Sequence, residues 1–274
     1  MSWTKITRAQ YERKTCRYST DLTDDEFAVM GLYLPAAKPL GRPRKTDLRE
    51  VVNAILYVLR SGCPWNLLPK DFPPASTVYG YFRRWQMDGI WASMHHALVM
   101  RMREHQGREA SPTAGIIDSQ SVKTTESGGI SGFDAGKKVK GRKRHIVVDT
   151  EGLLLTVLVH AASIQDRDGG VDTLKAVRKR FPFLHLIWAD GGYQGAKFKT
   201  AFDKIAAWKL SVVKRSDDHT GFRVLPRRWV VERTFAWIGR NRRMAKDFER
   251  LIETATAYIL IAMIQLMTRR LARQ

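Results

Sequence analysis

The spacing of apolar residues changes near residue 110, and this change limits the folds open to the chain. Before it, residues 47–60 carry an apolar stripe at helical period, with Thr46 or Asp47 as the N-cap. A second helix is predicted from Ser76 to about Gln86. We therefore predict an all-helical N-terminal domain over residues 1–110. It is helix-turn-helix-like if it binds DNA, and a purely packing module is the open alternative.

Beyond residue 110 the pattern is that of strands alternating with helices. Residues 149–152 form a turn typical of antiparallel strands. The predicted order is three strands, helix, strand, helix, strand and two helices, at residues 115–122, 144–149, 153–160, 168–180, 185–189, 194–207, 210–214, 227–244 and 249–271. This is the order of a ribonuclease H-like α/β fold, a mixed sheet flanked by helices. We assign it to a catalytic domain over residues 111–274.

The chain is strongly basic, with 47 Lys and Arg against 27 Asp and Glu, a formal net charge of +20 and a pI near 10.2. Such a charge favours a polyanionic partner, and double-stranded DNA fits best because basic side chains release counterions from phosphates. An anionic membrane surface or plain solubility are the alternatives. The predicted DNA-binding residues are Arg42, Arg44, Lys45, Arg83, Arg84, Lys137, Lys138, Lys140, Arg142, Lys143, Arg144, Arg228, Arg240, Arg242 and Arg243.

Cys16 and Cys63 are far apart and lack metal-ligand spacing, so a reducing cytoplasm is the expected compartment. The N-terminus has no apolar signal-peptide core. The apolar stretch 255–267 is shorter than the about 20 residues that a membrane span needs. It favours a buried C-terminal helix or a subunit contact.

Three acids are placed where chemistry would need them. Asp118 is in the middle of an apolar strand, where an unpaired carboxylate is costly to bury. Asp190 follows a buried strand and precedes two glycines, at the strand end where open α/β sheets place ligands. Glu232 is the one acid between His219 and Lys246, a segment rich in arginine. Three carboxylates of this kind can hold two divalent ions about 4 Å apart for phosphodiester chemistry.

Each acid also has an explanation without chemistry. Asp118 could cap its own backbone, Asp190 could belong to an ordinary Asp-Gly turn, and Glu232 could pair with Arg228 one helical turn away. Taken together, the three fall on the segments that a ribonuclease H-like site requires. The competing acids Asp166 and Asp168 precede a helix and are interpreted as N-caps.

Several blocks of sequence resemble the DDE-type transposases of bacterial insertion sequences, specifically the IS-five group. The similar blocks are residues 132–145, 190–195 and 227–237, and the similarity extends over nearly the whole chain. The resemblance implies Asp118, Asp190 and Glu232 as the metal-binding and catalytic triad. It also implies two Mg²⁺ ions, for which Mn²⁺ can substitute, and an N-terminal helical domain that helps to bind the element's ends.

One motif departs from the family. The Tyr-Arg-Glu-Lys signature around the glutamate has Leu225 at the Tyr position and Gly239 at the Lys position, with Arg240 next to it. The resemblance implies cleavage at terminal inverted repeats, transfer of the 3′-hydroxyl to target DNA, a homodimer or larger assembly, and a nucleoid-associated bacterial protein without membrane contact. A catalytically inactive DNA-binding regulator and a nuclease that cuts without rejoining are the alternatives.

Overall fold

A computed structural model of the protein describes residues 16–37, 43–213 and 228–273. Its α-helices are α1 Asp24–Gly31, α2 Leu48–Ser61, α3 Ala75–Met87, α4 Ile90–His105, α5 Asp166–Arg180, α6 Ala196–Asp203, α7 Arg228–Gly239 and α8 Ile252–Leu271. Its strands are β1 Ala114–Lys123, β2 Gly132–Asp134, β3 Val139–Val148, β4 Leu154–Ala161, β5 Leu186–Ala189 and β6 Lys209–Val212. Short 3-10 turns cover Trp65–Leu67, Gly191–Tyr193 and Arg242–Met244.

The strands form one mixed sheet in which β3 and β5 flank β1. The order is β2-β3-β1-β5-β6, and β4 pairs with β3. β3 runs antiparallel to β1 and β4, whereas β5 runs parallel to β1 and β6. Helices α5, α7 and α8 pack against this sheet. The ribonuclease H-like α/β fold is thereby confirmed.

The turn between β3 and β4 forms as predicted. One carboxylate oxygen of Asp149 accepts hydrogen bonds from the backbone N–H groups of Glu151 and Leu153, at 2.9 and 2.8 Å. Gly152 has a φ of 79°, a backbone conformation that favours glycine.

Three helices are shorter than predicted, and glycine explains one end of two of them. The helix predicted over residues 249–271 begins at Ile252. The helix predicted over residues 194–207 ends at Asp203 and begins only at Ala196, because Gly195 has a non-helical φ of 107°. The helix predicted over residues 227–244 ends at Gly239, since glycine is a poor helix former, and a separate 3-10 turn follows. Arg240, Arg242 and Arg243 therefore do not extend the helix of Glu232, and that part of the interpretation is wrong.

The two N-terminal helices predicted from the sequence form as α2 and α3, and the structure adds α1 and α4. Asp47 caps α2 by accepting a hydrogen bond from the N–H of Arg49 at 2.8 Å, and Gly62 ends the helix with a φ of 76°. The connection from α2 to α3 covers residues 62–74, much longer than the 3–4-residue turn of a compact helix-turn-helix.

The helical region and the sheet region share one hydrophobic core. α8 is buried along nearly its whole length and contacts α1, α2, α3 and α4 on one side and β4 on the other. Phe82 of α3 stacks on Tyr258 of α8 at 4.9 Å between ring centroids. The predicted boundary at residue 110 stays a prediction, since the core is continuous across it. Within the described ranges, no helix is long and apolar enough to cross a bilayer.

Candidate active site

Asp118 lies on β1, and Asp190 comes directly after the end of the neighbouring parallel strand β5. Ile116 of β1 pairs with Trp188 of β5, and each aspartate follows its paired residue by two positions. Side chains two residues apart point to the same face of a sheet, and paired strands are about 4.8 Å apart. The two carboxylates, called the aspartate pair below, are thus held side by side at the carboxyl end of β5.

Burial dominates the electrostatics of Asp118. Burial, and to a smaller extent the charge of Asp190, raise the pKa of this carboxyl, which is about 6 against the usual 3.8. A hydrogen bond of 2.7 Å from the N–H of Ser119, together with the charges of Arg228 and Lys137, acts in the opposite direction. The protein therefore keeps a carboxylate where its charge is costly, which favours binding of a cation.

Asp190 is fixed by the turn that follows β5. One of its oxygens accepts a hydrogen bond from the N–H of Gly192 at 2.9 Å, which caps the turn Gly191–Tyr193. Its other oxygen faces the guanidinium of Arg228 at 3.7 Å. Arg228 opens α7, so this contact fixes the start of that helix over the aspartate pair.

Glu232 is on the helix that the prediction requires, but its carboxylate is exposed to solvent. It follows Arg228 by one helical turn, and α7 packs against β1. Among the residues that the structure describes, no three acidic, histidine or cysteine side chains are close enough to hold one metal ion. The structure thus brings two of the three predicted ligands together, and the role of Glu232 stays a prediction.

A support network lies behind Asp118, on the opposite face of β1, and it comprises Ser119, Asp134, Lys137, Lys143 and Asp166. Ser119 donates a hydrogen bond to Asp166 at 2.7 Å and accepts one from the ammonium of Lys137 at 3.2 Å. Lys143 pairs with Asp166 at 2.9 Å and with Asp134 at 3.2 Å. The network fixes β1 directly beside Asp118.

Asp166 is therefore not the N-cap that the sequence suggested. Gln165 holds the N-cap position, and its side chain makes no capping hydrogen bond. Although burial pushes the pKa of Asp166 upward, hydrogen bonds from Lys143 and Ser119 bring it below its usual value. The sequence signal for this role is the Gly169-Gly170 pair, which permits a close approach of α5 to the sheet.

Tyr193 fills the space between α5 and the end of β5. It is fully buried, and its hydroxyl has no hydrogen bond of normal geometry among the described residues. Burial raises the pKa of Tyr193 well above 10, and the charges of Asp118, Asp166 and Asp190 raise it further. A Cβ at Gly170 would lie 2.6 Å from this ring, so glycine is needed for the contact. Sequence reasoning did not identify Tyr193.

Three of the predicted DNA-binding residues are buried in β3 and cannot reach a ligand on the surface. The guanidinium of Arg142 is fully buried, pairs with Asp247 at 3.2 Å and donates to backbone carbonyls of residues 130, 249 and 250. Arg144 is buried and donates to the carbonyl of Met244 at 3.0 Å. Lys143 belongs to the support network. The prediction that these residues contact DNA is wrong, because their donors are bound to the protein's own oxygens.

The prediction that Arg243 contacts DNA is wrong for the same reason. Its guanidinium is buried, pairs with Glu249 at 2.7 Å and donates to the carbonyl of Cys63 at 3.0 Å. The other predicted DNA-binding residues fall into three groups. Exposed are Arg44, Lys45, Arg84, Lys137, Lys138, Lys140, Arg240 and Arg242. Arg83 and Arg228 are half-buried, and Arg42 lies outside the described residues. Leu225, at the Tyr position of the family signature, also lies outside them.

Comparison with known proteins identifies the family. The family model described as "Transposase DDE domain" matches residues 109–267, and that of "Putative transposase of IS4/5 family" matches residues 22–95. From Burkholderia cepacia, "Insertion element IS402 uncharacterized 16.2 kDa protein" is 29% identical over 39% of this chain and 76% of its own length. "Putative transposase for insertion sequence element IS402" from the same organism is 29% identical over 43% of this chain and 59% of its own length. Since the DDE domain covers more than half of its length, the chain belongs to the DDE transposases of the IS4/5 type.

Proposed function

We propose that the chain binds the terminal inverted repeats of an insertion sequence, cleaves DNA at those ends and transfers the freed 3′-hydroxyls to target DNA. The observation that carries the proposal is the aspartate pair, two carboxylates on adjacent parallel strands beneath the first turn of α7. A basic surface with a formal net charge of +20 supports DNA as the substrate.

The aspartate pair suits divalent ions of the Mg²⁺ type. Mg²⁺ prefers hard oxygen ligands and needs only a few carboxylates, and the buried carboxyl of Asp118 gains from a nearby cation. Asp118 and Asp190 would hold two such ions, with Glu232 as the third ligand. When bound, the ions supply an activated oxygen nucleophile and stabilise charge on the leaving oxygen.

The cationic residues around the aspartate pair have a separate role. Arg228 lies beside the pair, and Lys137 acts on the charge of Asp118 from the support network, where its ammonium donates to Ser119. Arg228 can donate hydrogen bonds to the non-bridging oxygens of a phosphate and so orient it for in-line attack. The aspartates would then meet a phosphate already held in position.

The helical region over residues 1–110 would supply recognition of the element's ends. Arg44, Lys45 and Arg84 are exposed there, and Arg83, next to Arg84 on α3, is half-buried. Joining two ends in one complex requires at least two copies, so we expect a homodimer or larger assembly on DNA. Sequencing the DNA that flanks the reading frame would reveal the inverted repeats.

The proposal is tested with a plasmid that carries those flanking ends. The wild type should cut at the ends and join them to a second plasmid in the presence of Mg²⁺. Asp118→Asn, Asp190→Asn and Glu232→Gln should each lower the cleavage rate by about 10²–10³-fold or more, as for other charge-stabilising groups. Asp172→Asn, which removes an exposed carboxylate on α5, is the matched control and should cleave at the wild-type rate.

The same assay separates the alternatives. Cleavage without joining would identify a nuclease, and binding without cleavage would identify a regulator. Full activity of Glu232→Gln with loss of activity in both aspartate variants would remove Glu232 from the site. If Asp118→Asn cleaves as fast as the wild type, the catalytic assignment is wrong.

A further inference from the structure

We propose that one side of α7, together with the end of α8, forms a binding surface for the phosphates of duplex DNA next to the aspartate pair. This surface, the arginine track, comprises Trp229, Arg233, Trp237, Arg240, Arg270 and Arg273. The proposal rests on the proposed function for its position relative to the cut, but its test measures binding and not cleavage.

The track begins as a stack along α7. Trp229, Arg233 and Trp237 follow one another at four-residue intervals, so they lie on one side of the helix. The guanidinium carbon of Arg233 is 4.5 Å from the ring centroid of Trp229 and 4.7 Å from that of Trp237. Arg270 of α8 lies over Trp237 at 4.4 Å. Cations and rings therefore alternate from the first turn of α7 to the last turn of α8.

The stack holds its arginines in fixed positions. Arg233 donates to the carbonyl of Glu151 at 2.8 Å, and a Cβ at Gly152 would meet both Arg233 and Trp237 at 3.1–3.2 Å. The β3–β4 turn thus packs against the stack from one side. A guanidinium that is already oriented loses less conformational entropy when it binds a phosphate.

Several positive charges of the arginine track act on Arg270. Burial lowers the pKa of Arg270, and the charges of Arg233, Arg240 and Arg273 lower it further, with Glu151 as the one acid acting against them. Glu151 is itself bound by Arg108 at 2.6 Å. The C-terminus of one helix stabilises a nearby cation only weakly, which does not account for four arginines gathered in one place. An anionic ligand would remove this repulsion.

The position of the track matches DNA that leaves the aspartate pair. α7 starts at Arg228, which contacts Asp190, and ends at Gly239. Its 12 residues span about 18 Å, the length of about five base pairs. A duplex whose scissile phosphate lies at the aspartate pair can therefore place its next phosphates along the track.

The chemistry of the track favours the DNA backbone over the bases. The planar guanidinium matches two phosphate oxygens at once. Arg233 covers a ring face of both Trp229 and Trp237, so the tryptophans hold the arginines and are poorly placed to stack on bases. Binding here should be independent of sequence and strongly dependent on salt.

The test is the salt dependence of binding to a mixed-sequence DNA duplex, measured by fluorescence anisotropy without divalent ions. The double variant Arg240→Gln/Arg270→Gln should bind about tenfold more weakly at low salt. The slope of log affinity against log salt should become shallower by about 1.8, because two phosphate contacts are lost. Lys175→Gln/Lys179→Gln on α5 removes the same charge elsewhere and should leave the slope within error of the wild type.

A second pair of variants tests the role of the rings. Trp237→Phe should keep the wild-type slope, whereas Trp237→Leu should lose part of it at an unchanged circular dichroism spectrum, because only the aromatic variant can hold the guanidiniums. An unchanged slope in Arg240→Gln/Arg270→Gln would refute the proposal that the arginine track binds DNA. The proposal would also be refuted if this variant bound DNA as the wild type does but no longer bound polyglutamate, because the track would then bind an acidic protein. A wild type that binds duplex but never cleaves it would refute the proposed function and leave the track in place.

Discussion

The basic run over residues 137–144 has two halves of similar composition and opposite environment. Lys137, Lys138 and Lys140 are exposed around the turn between β2 and β3. Arg142, Lys143 and Arg144 are buried in β3, each beside oxygen atoms of the protein itself. In the first half, Lys138 and Lys140 are available to a ligand, whereas the ammonium of Lys137 donates to Ser119. The second half holds the fold together.

The difference shows that a cluster of positive charge does not define a surface. Arg142 and Arg144 face the segment 244–250, whose carbonyl groups they bind, and Lys143 faces α5 on the other side of the sheet. Their partners are distant in the chain and become neighbours only after folding. Only the exposed half can then contribute to the salt dependence of DNA binding.

Removing Arg142 should have the largest effect on stability. Arg142→Ala leaves Asp247 as a buried, uncompensated charge, so the free energy of unfolding should fall by about 3–5 kcal/mol. Urea denaturation followed by circular dichroism measures this change. Lys140→Ala is the matched control from the exposed half and should change stability by less than about 0.5 kcal/mol. If both variants lowered the free energy of unfolding equally, the buried and exposed halves of the run would not differ in their contribution to stability.

Asp118 is a buried charge that, unlike Arg142, lacks a strong ion-pair partner. The difference between a pKa of about 6 and the usual 3.8 corresponds to about 3 kcal/mol. Because the pKa in the folded state is raised, the stability from protonation is complete below about pH 3.8 and is lost as the pH rises through about 6.

Asp118→Asn should therefore unfold at a higher temperature than the wild type at pH 8 with a chelator present, and the difference should disappear near pH 4. Calorimetry across this pH range measures it. A stability difference that does not change with pH would contradict the assigned burial, and Asp172→Asn is the exposed control.

Lys143 should have an intermediate effect. Lys143→Met removes the cation shared by Asp134 and Asp166, and the free energy of unfolding should fall by about 1–3 kcal/mol at pH 7. Although burial pushes the pKa of Asp134 upward, hydrogen bonds from Ser121, Lys137 and Lys143 hold it at about 2. The stability that this low pKa brings is present above pH 3.8 and is lost as the pH falls through about 2, so the variant should begin to unfold at a less acidic pH. The control Lys138→Met should have the same free energy of unfolding as the wild type at both pH values.

The smallest effect on stability belongs to the exposed lysines. Lys138→Gln/Lys140→Gln should change the free energy of unfolding by less than about 0.5 kcal/mol. It should nevertheless make the salt slope of DNA binding shallower by up to about 1.8 if both lysines contact phosphates. An unchanged slope would show that this turn does not contact DNA.

The fold could be predicted from the sequence because its signals are local. The N-cap at Asp47, the turn at Gly152 and the short apolar run at the start of β1 all depend on near neighbours. Asp118 and Asp190 were identified for the same reason, since each marks the middle or the end of an apolar strand. The roles of Asp166 and Arg142 depend on contacts across 47 and more than 100 residues, which spacing alone does not show.

Gly169 and Gly170 decide how near α5 comes to the sheet. A Cβ at Gly169 would lie 2.4 Å from the ring of His145, and one at Gly170 would meet Tyr193. A single added methyl group at either place would wedge the helix outward and carry Asp166 away from Ser119. Any redesign of this protein would thus have to keep glycine at both positions, although neither contributes a functional group.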